Sequence, residues 1–470
     1  MDAFPTLRSP TYRGPRGQIQ LVTGPMFSGK TTELLRRIRI LGIARKRVML
    51  IRYRRDTRYS DELVATHDRS TNCGSNCKTF SVNKLSEIPA SLLDDFDVVG
   101  IDEGQFFSEL LEFAEETANR GKTVIVSALD GDFLRNPFGD VCKLVPRVEL
   151  FTKKSAMCQG ENCHNTPAAF STRRSAETSV EVIGGADKYI PTCRRCYNRY
   201  AALNEAAAAA AAEAAEAPTN SDKETPKASS TPQKPKKENK SASPVSVADL
   251  EFSMARQDGS LELVIGPMFS GKTTEMLQRI RLAHIGRQRV LLIKYCKDKR
   301  YSDDGVATHD KVTGGAIKTL SVAKLASVGD AYKDYDVIGV DEGQFYPDLA
   351  AFVDRAANDG KRVVVAALDG DFMRNPFGQV CQLIPRAEKV NKLASVCLCC
   401  HTHAAFSKRI SAETDVEVIG GADKYVPTCR ECYNNVHASP LTVDMDVTAE
   451  KPNFAATDAI EAPRAIEVQH

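Results

Sequence analysis

Gly24-Pro-Met-Phe-Ser-Gly-Lys30-Thr31 has the G-x4-G-K-T spacing of a phosphate-binding loop, and the same eight residues return as Gly266–Thr273. Each copy follows a short apolar run and precedes a helix-period pattern, the context that the motif requires. Backbone N–H groups of Gly24, Pro25, Met26, Phe27, Ser28 and Gly29 (prolines excepted), aided by the helix N-terminus, suit triphosphate oxygens. Lys30 is placed to bridge the β- and γ-phosphates, and Thr31 offers a hydroxyl to Mg²⁺. The second copy repeats these roles with Gly266, Pro267, Met268, Phe269, Ser270, Gly271, Lys272 and Thr273.

Working outward, the repeat extends over most of the chain. Ile101–Phe106 (IDEGQF) returns as Val340–Phe345. ALDGDF recurs at Ala128 and Ala367, NPFG at Asn136 and Asn375, VEVIGGADKY at Val180 and Val416, and PTCRxCYN at Pro191 and Pro427. The order never changes, and an offset near 240 residues means a duplicated domain, not a solenoid of short repeats. The first copy carries two insertions, one in the loop Thr71–Lys78, which adds Cys73 and Cys77, and one between Cys158 and Cys163.

Apolar runs at Gln18–Val22, Val48–Ile51, Val98–Ile101 and Val124–Ala128 read as buried strands. They match Leu261–Ile265, Val290–Ile293, Val337–Val340 and Val363–Ala367 in the second copy. A helix from Lys30 places Leu34, Leu35, Ile38 and Leu41 on one face. The expected fold is α/β: two tandem P-loop (RecA-like) parallel-sheet domains, each with a small four-cysteine zinc lasso.

The expected divisions are a flexible start (1–17), a P-loop domain (18–152) with its zinc and lid subdomain (153–200), a linker (201–259), a second domain (260–391) with its subdomain (392–437), and a disordered tail (438–470). The linker opens with an alanine run, Ala206–Ala212, and continues in Pro, Ser and Lys. By composition it is a solvated tether, long enough for the copies to pair with each other or with another chain.

Composition excludes several classes. Lys and Arg number 63 against 61 Asp and Glu, which argues against a chain that coats nucleic acid or an anionic membrane. No apolar run reaches the roughly 20 residues of a membrane helix. Arg8, Arg13 and Arg16 stand without an apolar stretch, so no secretory signal is expected. The 14 cysteines are therefore read as thiolates for metal more than as disulfides.

Asp102 ends a buried strand, as a Walker B aspartate does, and would hold Mg²⁺ with Thr31. Glu103 follows and can face a second substrate, where a carboxylate takes or orients the proton of an attacking hydroxyl. Asp341 with Thr273, and Glu342, repeat the arrangement. Cys158-x4-Cys163 with Cys193-x2-Cys196, and Cys397-x2-Cys400 with Cys429-x2-Cys432, each suit one tetrahedral, structural Zn²⁺. Cys399 leaves the second register open, and His164, His401 or His403 could replace a sulfur. Cys73, Cys77, Cys142, Cys296 and Cys381 read as ordinary thiols. Between the cysteine pairs, the period-2 start of VEVIGG reads as a strand, with Gly184-Gly185 allowing a turn; it supports the zinc or forms a lid.

Together these motifs resemble the type II thymidine kinases, the zinc-containing cytosolic class, over Gln18–Tyr200 and Leu261–Val436. D-x-R-Y-S and THD add to the match. The resemblance implies transfer of the ATP γ-phosphate to the 5′-hydroxyl of thymidine or deoxyuridine, giving dTMP for salvage, with Glu103 and Glu342 as catalytic bases. It places Phe133 and Phe372 against the base. Met26, Leu129, Phe106 and Phe138 (Met268, Leu368, Phe345 and Phe377) line the pocket. Val180, Glu181, Val182, Ile183 and Gly184, and Val416, Glu417, Val418, Ile419 and Gly420, hold the pyrimidine mainly through backbone, near Tyr189 and Tyr425. On the ATP side it places Asp56, Thr57, Arg58, Gly104 and Gln105, and in the second copy Asp298, Lys299, Arg300, Gly343 and Gln344. Feedback by dTTP, tetrameric assembly, and residence in the cytoplasm or nucleus are implied as well.

Two departures mark the first copy: the wider cysteine spacing, and Thr172 where the second has Lys408 in the lid. They point to the second copy as the more dependable catalyst. Rival expectations are a copy that serves only as scaffold or regulator, and a nucleic-acid-dependent P-loop ATPase with zinc ribbons. Lys237-Glu238-Asn239 in the linker spells a degradation-type tripeptide, short enough to arise by chance.

Overall fold

In the computed structural model, the described residues are 17–56, 76–161, 163, 166–174, 179, 184–204, 259–298 and 317–435. Thr57, Arg58, Cys73, His164, Val180–Ile183, Lys299, Arg300, residues 205–258 of the linker with its Lys237-Glu238-Asn239 tripeptide, and the tail lie outside them.

The first copy builds a six-stranded sheet from β1 (Gln18–Thr23), β2 (Val48–Tyr53), β3 (Cys77–Val82), β4 (Val98–Ile101), β5 (Thr123–Ser127) and β6 (Leu150–Lys153), in the order β3-β2-β4-β5-β1-β6. All five pairings are parallel. The central strands are buried on both faces, so they read as continuous Val/Ile/Leu runs. The two edge strands were not legible: β3 alternates exposed Lys78 and Thr79 with half-buried Phe80, and β6 carries Thr152 and Lys153. Cys77 and Lys78 open β3, so the insertion loop ends sooner than its sequence implies.

The P-loop helix, Lys30–Ile43, buries Leu34 and Ile38 against one sheet face. A second helix, Leu110–Asn119, packs on β1 and β5 from the other face. Beyond β6 a knuckle forms from two small antiparallel pairs, β7 (Ala156–Met157) with β8 (Pro167–Ala168), and β9 (Phe170–Arg173) with β10 (Tyr189–Thr192).

The second copy repeats the plan. Its sheet comprises β11 (Ser260–Ile265), β12 (Val290–Tyr295), β13 (Lys318–Val322), β14 (Val337–Val340), β15 (Arg362–Ala367) and β16 (Lys389–Lys392), in the order β13-β12-β14-β15-β11-β16. Its knuckle comprises β17 (Ser395–Val396), β18 (His403–Ala404), β19 (Phe406–Arg409) and β20 (Tyr425–Thr428). Val416–Val418 form no strand, contrary to their period-2 pattern. Their carbonyls are taken by side chains instead: Arg409 donates to Val416 O and Tyr425 Oη to Val418 O, leaving no ladder to join.

The copies pack against each other through β6 and β16, and one buried apolar cluster runs from Val145 and Val148 of the first copy to Leu383 and Ile384 of the second. Polar contacts follow a pseudo-twofold. Lys153 Nζ donates to Ile384 O at 2.6 Å, and Lys392 Nζ to Val145 O at 2.7 Å. Arg135 pairs with Asp354 at 3.3 Å, and Arg374 with Glu115 at 2.8 Å.

Candidate active site and thiolate knuckles

The P-loop begins where β1 ends. Gly24 has φ +143°, and a Cβ there would lie 2.4 Å from Lys154 O; Gly266 has φ +149° with Leu393 O at 2.6 Å. Only glycine lets the chain turn so close to the strand beside it. Gly29 and Gly271, at φ +74° and +82°, start the helices, while Phe27 and Phe269 also take positive φ. Lys30 Nζ donates to Pro25 O at 2.8 Å and Lys272 Nζ to Pro267 O at 2.7 Å, so both ammonium groups curl over the loop where anions would sit. Ser28 and Ser270 lie within the same turn; Ser270 Oγ donates to Pro267 O.

Thr31 Oγ1 donates to Asp102 Oδ1 at 3.0 Å, and Thr273 Oγ1 to Asp341 Oδ1 at 2.9 Å. A hydroxyl and a carboxylate oxygen side by side form the hard-oxygen pair that suits Mg²⁺ in P-loop proteins. Burial, then the charge of Glu103, pushes the Asp102 carboxyl up to about 6; burial and Glu342 do the same for Asp341. A cation against these oxygens would relieve both effects.

Glu103 and Glu342 have φ of 54° and 52°, an uncommon region for a residue with a side chain. That turn separates them from the aspartates beside them. Gln105 Nε2 donates to Glu103 Oε2 at 2.5 Å, while Gln105 Oε1 accepts from Leu129 N at 3.0 Å. Gln344 does likewise for Glu342 and Leu368 N, at 2.5 and 3.0 Å. Both glutamines, expected on the ATP side, tie the glutamate to the pocket wall in one geometry. Gly104 and Gly343 pack against the β5 and β15 side chains, with Val126 and Val365 2.8 and 2.7 Å from a Cβ built there. Asp56 and Asp298 stand at the turns leaving β2 and β12, their amides donating to Tyr53 O and Tyr295 O.

In the second copy a pocket opens from Glu342, walled by Met268, Phe345, Leu368, Phe372 and Phe377 and closed by Val416, Val418, Ile419, Gly420 and Tyr425. Glu417 of the same segment turns to accept from Tyr295 Oη at 3.2 Å. In the first copy Met26, Leu129 and Tyr189 cluster with Phe133 and Phe138, and Phe106 meets Phe138 edge-on. Gly184 leads into the turn that Gly185 and Lys188 close.

Sequence reasoning missed two groups here. Arg173 and Arg409 lie 3.8 Å above the Phe133 and Phe372 rings and donate to Tyr189 Oη and Tyr425 Oη at 2.7 and 2.6 Å. An arginine that ends a short strand looks solvent-bound, and only the partner ring shows otherwise. Ser171 Oγ and Ser407 Oγ accept from Met26 N and Met268 N at 2.9 and 2.8 Å, tying the P-loop to the knuckle. Lys408 is not in the lid: its Nζ donates to Cys432 O and Asn435 O, away from the pocket. Thr172 instead bonds Thr192 across β9 and β10, at 2.6 Å.

Cys158, Cys163, Cys193 and Cys196 bring their sulfurs within 4.8 Å of one another, as do Cys397, Cys400, Cys429 and Cys432. Cys163–Cys193 and Cys400–Cys429 are 3.7 and 3.6 Å apart, against about 3.8 Å for a tetrahedron with Zn–S bonds of 2.3 Å. Cys158 Sγ also accepts from the amides of Gly160 and Cys193, at 3.4 and 3.3 Å. The donor sets fit zinc, and the wider spacing of the first copy closes as well as the second. Cys399, His401 and His403 stand outside the second set. The thiol of Cys397 is drawn down to about 4, chiefly by the hydrogen bond from Cys429, whose own thiol is pushed up. Such mutual frustration is relieved when a dication takes all four sulfurs.

A phosphate-binding loop, a Thr–Asp oxygen pair, an oriented glutamate and an aromatic pocket define a P-loop kinase, present twice in one chain. The sequence model described as "Thymidine kinase" matches residues 17–197 and 259–433. The chain belongs to the thymidine kinase family, as a tandem duplication of the zinc-containing type II form. Among relatives, the thymidine kinase of Myxoma virus (strain Lausanne) is 48% identical over 180 residues, 38% of this chain and 99% of its own length. The cytosolic thymidine kinase of Gallus gallus is 47% identical over 218 residues, covering 43% and 95%. Thymidine kinase 1 of Dictyostelium discoideum is 42% identical over 214 residues, covering 45% and 92%.

Proposed function

We propose that both copies transfer the γ-phosphate of ATP to the 5′-hydroxyl of thymidine, and of deoxyuridine, yielding dTMP. The observation that carries this reading is the position of Glu342, held by Gln344 between the Thr273–Asp341 pair and the closed aromatic pocket. Glu103 stands the same way beside Gln105.

The P-loop amides with Lys30 or Lys272 hold the triphosphate. Thr31 with Asp102, and Thr273 with Asp341, would hold Mg²⁺, which supplies charge neutralisation between the β- and γ-phosphates when bound. Phe133 or Phe372 flanks the pyrimidine, and the backbone of Val180–Gly184 or Val416–Gly420 reads its polar edge. Asp56, Thr57, Arg58, Asp298, Lys299 and Arg300 belong to the phosphate-side loop. The glutamate accepts the 5′-hydroxyl proton as that oxygen bonds to the γ-phosphorus, and the bond to the β–γ bridging oxygen breaks. Inhibition by dTTP, a site of action in the cytoplasm, and pairing of chains into a four-copy assembly belong to the same proposal.

The departures in the first copy fall away from the reacting groups, since Thr172 bonds Thr192 and its four sulfurs still converge. The second copy, with Lys408 tying down its knuckle, is the more dependable catalyst. The test is ATP-dependent thymidine phosphorylation by wild type beside Glu103→Gln and Glu342→Gln. Each single change should remove part of the rate and the pair should abolish it. Full loss with Glu342→Gln alone would make the first copy a scaffold, and a wild type indifferent to thymidine would overturn the substrate.

A further inference from the structure

Each cysteine knuckle carries an arginine between its last two cysteines, and that arginine is buried in the other copy. Arg430, 5% exposed, donates from Nε to Glu149 Oε1 at 2.7 Å and from Nη1 to Glu115 Oε1 at 2.6 Å. Its Nη2 reaches Glu149 Oε2 and the carbonyl of Arg147. Arg194, equally buried, meets Glu388 at 2.8 and 3.0 Å and Asp354 at 2.9 Å.

The glutamates pass the contact on. Glu149 Oε2 accepts from Ile19 N at 2.6 Å, and Glu388 Oε2 from Leu261 N at 2.7 Å. These amides lie at the start of β1 and β11, the strands that run directly into Gly24 and Gly266. A second line runs beside the first: Lys153 binds both Asp130, next to pocket residue Leu129, and the opposite copy's Ile384 O.

We propose that Arg430 and Arg194 act in trans as positioning residues, each holding the P-loop strand of the opposite copy. This rests on the assignment of the P-loops as ATP sites. A knuckle folded on its metal keeps its arginine rigid between two ligands, so zinc in one copy supports nucleotide binding in the other. The pattern differs from a plain structural bridge, because the acceptor carboxylate is shared with the amide that starts the nucleotide strand.

The experiment uses the full chain carrying Glu342→Gln, so that turnover reports the first copy. Arg430→Met should raise the exchange rate of the Ile19 amide roughly 10- to 100-fold, the loss expected for a charge-assisted bond, and leave Leu261 unchanged. The ATP KM of the first copy should rise while kcat holds. Glu149→Gln, which keeps shape, should reproduce the effect and add little to Arg430→Met; it decides the matter alone should Arg430→Met not fold. Cys400→Ser, with metal content falling from two zinc per chain to one, should loosen the same amide. Changes confined to the second copy, or an Ile19 amide as protected as in wild type, would overturn the proposal. Were thymidine not the substrate, amide exchange and ATP binding would still report the coupling, so the two failures are separable.

Discussion

Gln344→Leu separates the two places that Gln344 can act. The amide donates to Glu342 at 2.5 Å and accepts from Leu368 N at 3.0 Å, and it is buried. A hydrogen bond to a charged group contributes about 1.5–3 kcal/mol, so an unanchored Glu342 should lower kcat roughly 10- to 100-fold. The orphaned Leu368 amide should cost about 1–3 kcal/mol of stability on top. In a chain carrying Glu103→Gln, steady-state phosphorylation of thymidine reads the second copy alone. The expected result is a lower kcat with the ATP KM within about twofold of its starting value. A raised ATP KM with kcat intact would refute the argument, and would return Gln344 to the ATP side where its motif alone suggests it belongs.

Arg409→Met, measured in the same background, should raise the thymidine KM roughly three- to tenfold through loss of a half-buried cation–π contact with Phe372; steady-state kinetics at saturating ATP checks it. Asp341→Asn should stabilise the protein without added Mg²⁺ at neutral pH. The rise of this carboxyl from 3.8 to about 6 corresponds to about 3 kcal/mol that is present below pH 4 and lost as pH passes through 6. Urea unfolding at pH 7.5 and pH 4 should show the variant ahead at the first and level at the second. Cys163→Ser should release one zinc of two, read by a chromogenic chelator, while Cys399→Ser should release none.

Most of the fold was legible because the same physics wrote it twice. Central strands buried on both faces leave unbroken apolar runs, and a P-loop has few other uses for its glycines. The edge strands β3 and β6 were hidden, since half of each faces water or the other copy. Val416–Val418 misled by alternation, a pattern that a segment bonded by Arg409 and Tyr425 can carry as easily as a strand. The glutamates, the Thr–Asp pairs and the eight cysteines stood out because motif spacing fixed their neighbours. Arg173, Arg409 and the serines of β9 and β19 did not, because the Phe133 and Phe372 rings and the P-loop amides that they meet lie more than 30 residues away and no local period connects them.

The pseudo-twofold contact between the copies has a consequence for how this chain can change. In a dimer of identical subunits every substitution appears on both sides of the axis, so a useful asymmetry cannot be selected without its mirror image. Here Glu115 and Asp354 already occupy equivalent places with side chains of different length. Joining the halves in one chain also replaces a bimolecular step by a local one, at an effective concentration near the millimolar range. Dilution does not separate the halves, and a substitution in one half is no longer copied into the other.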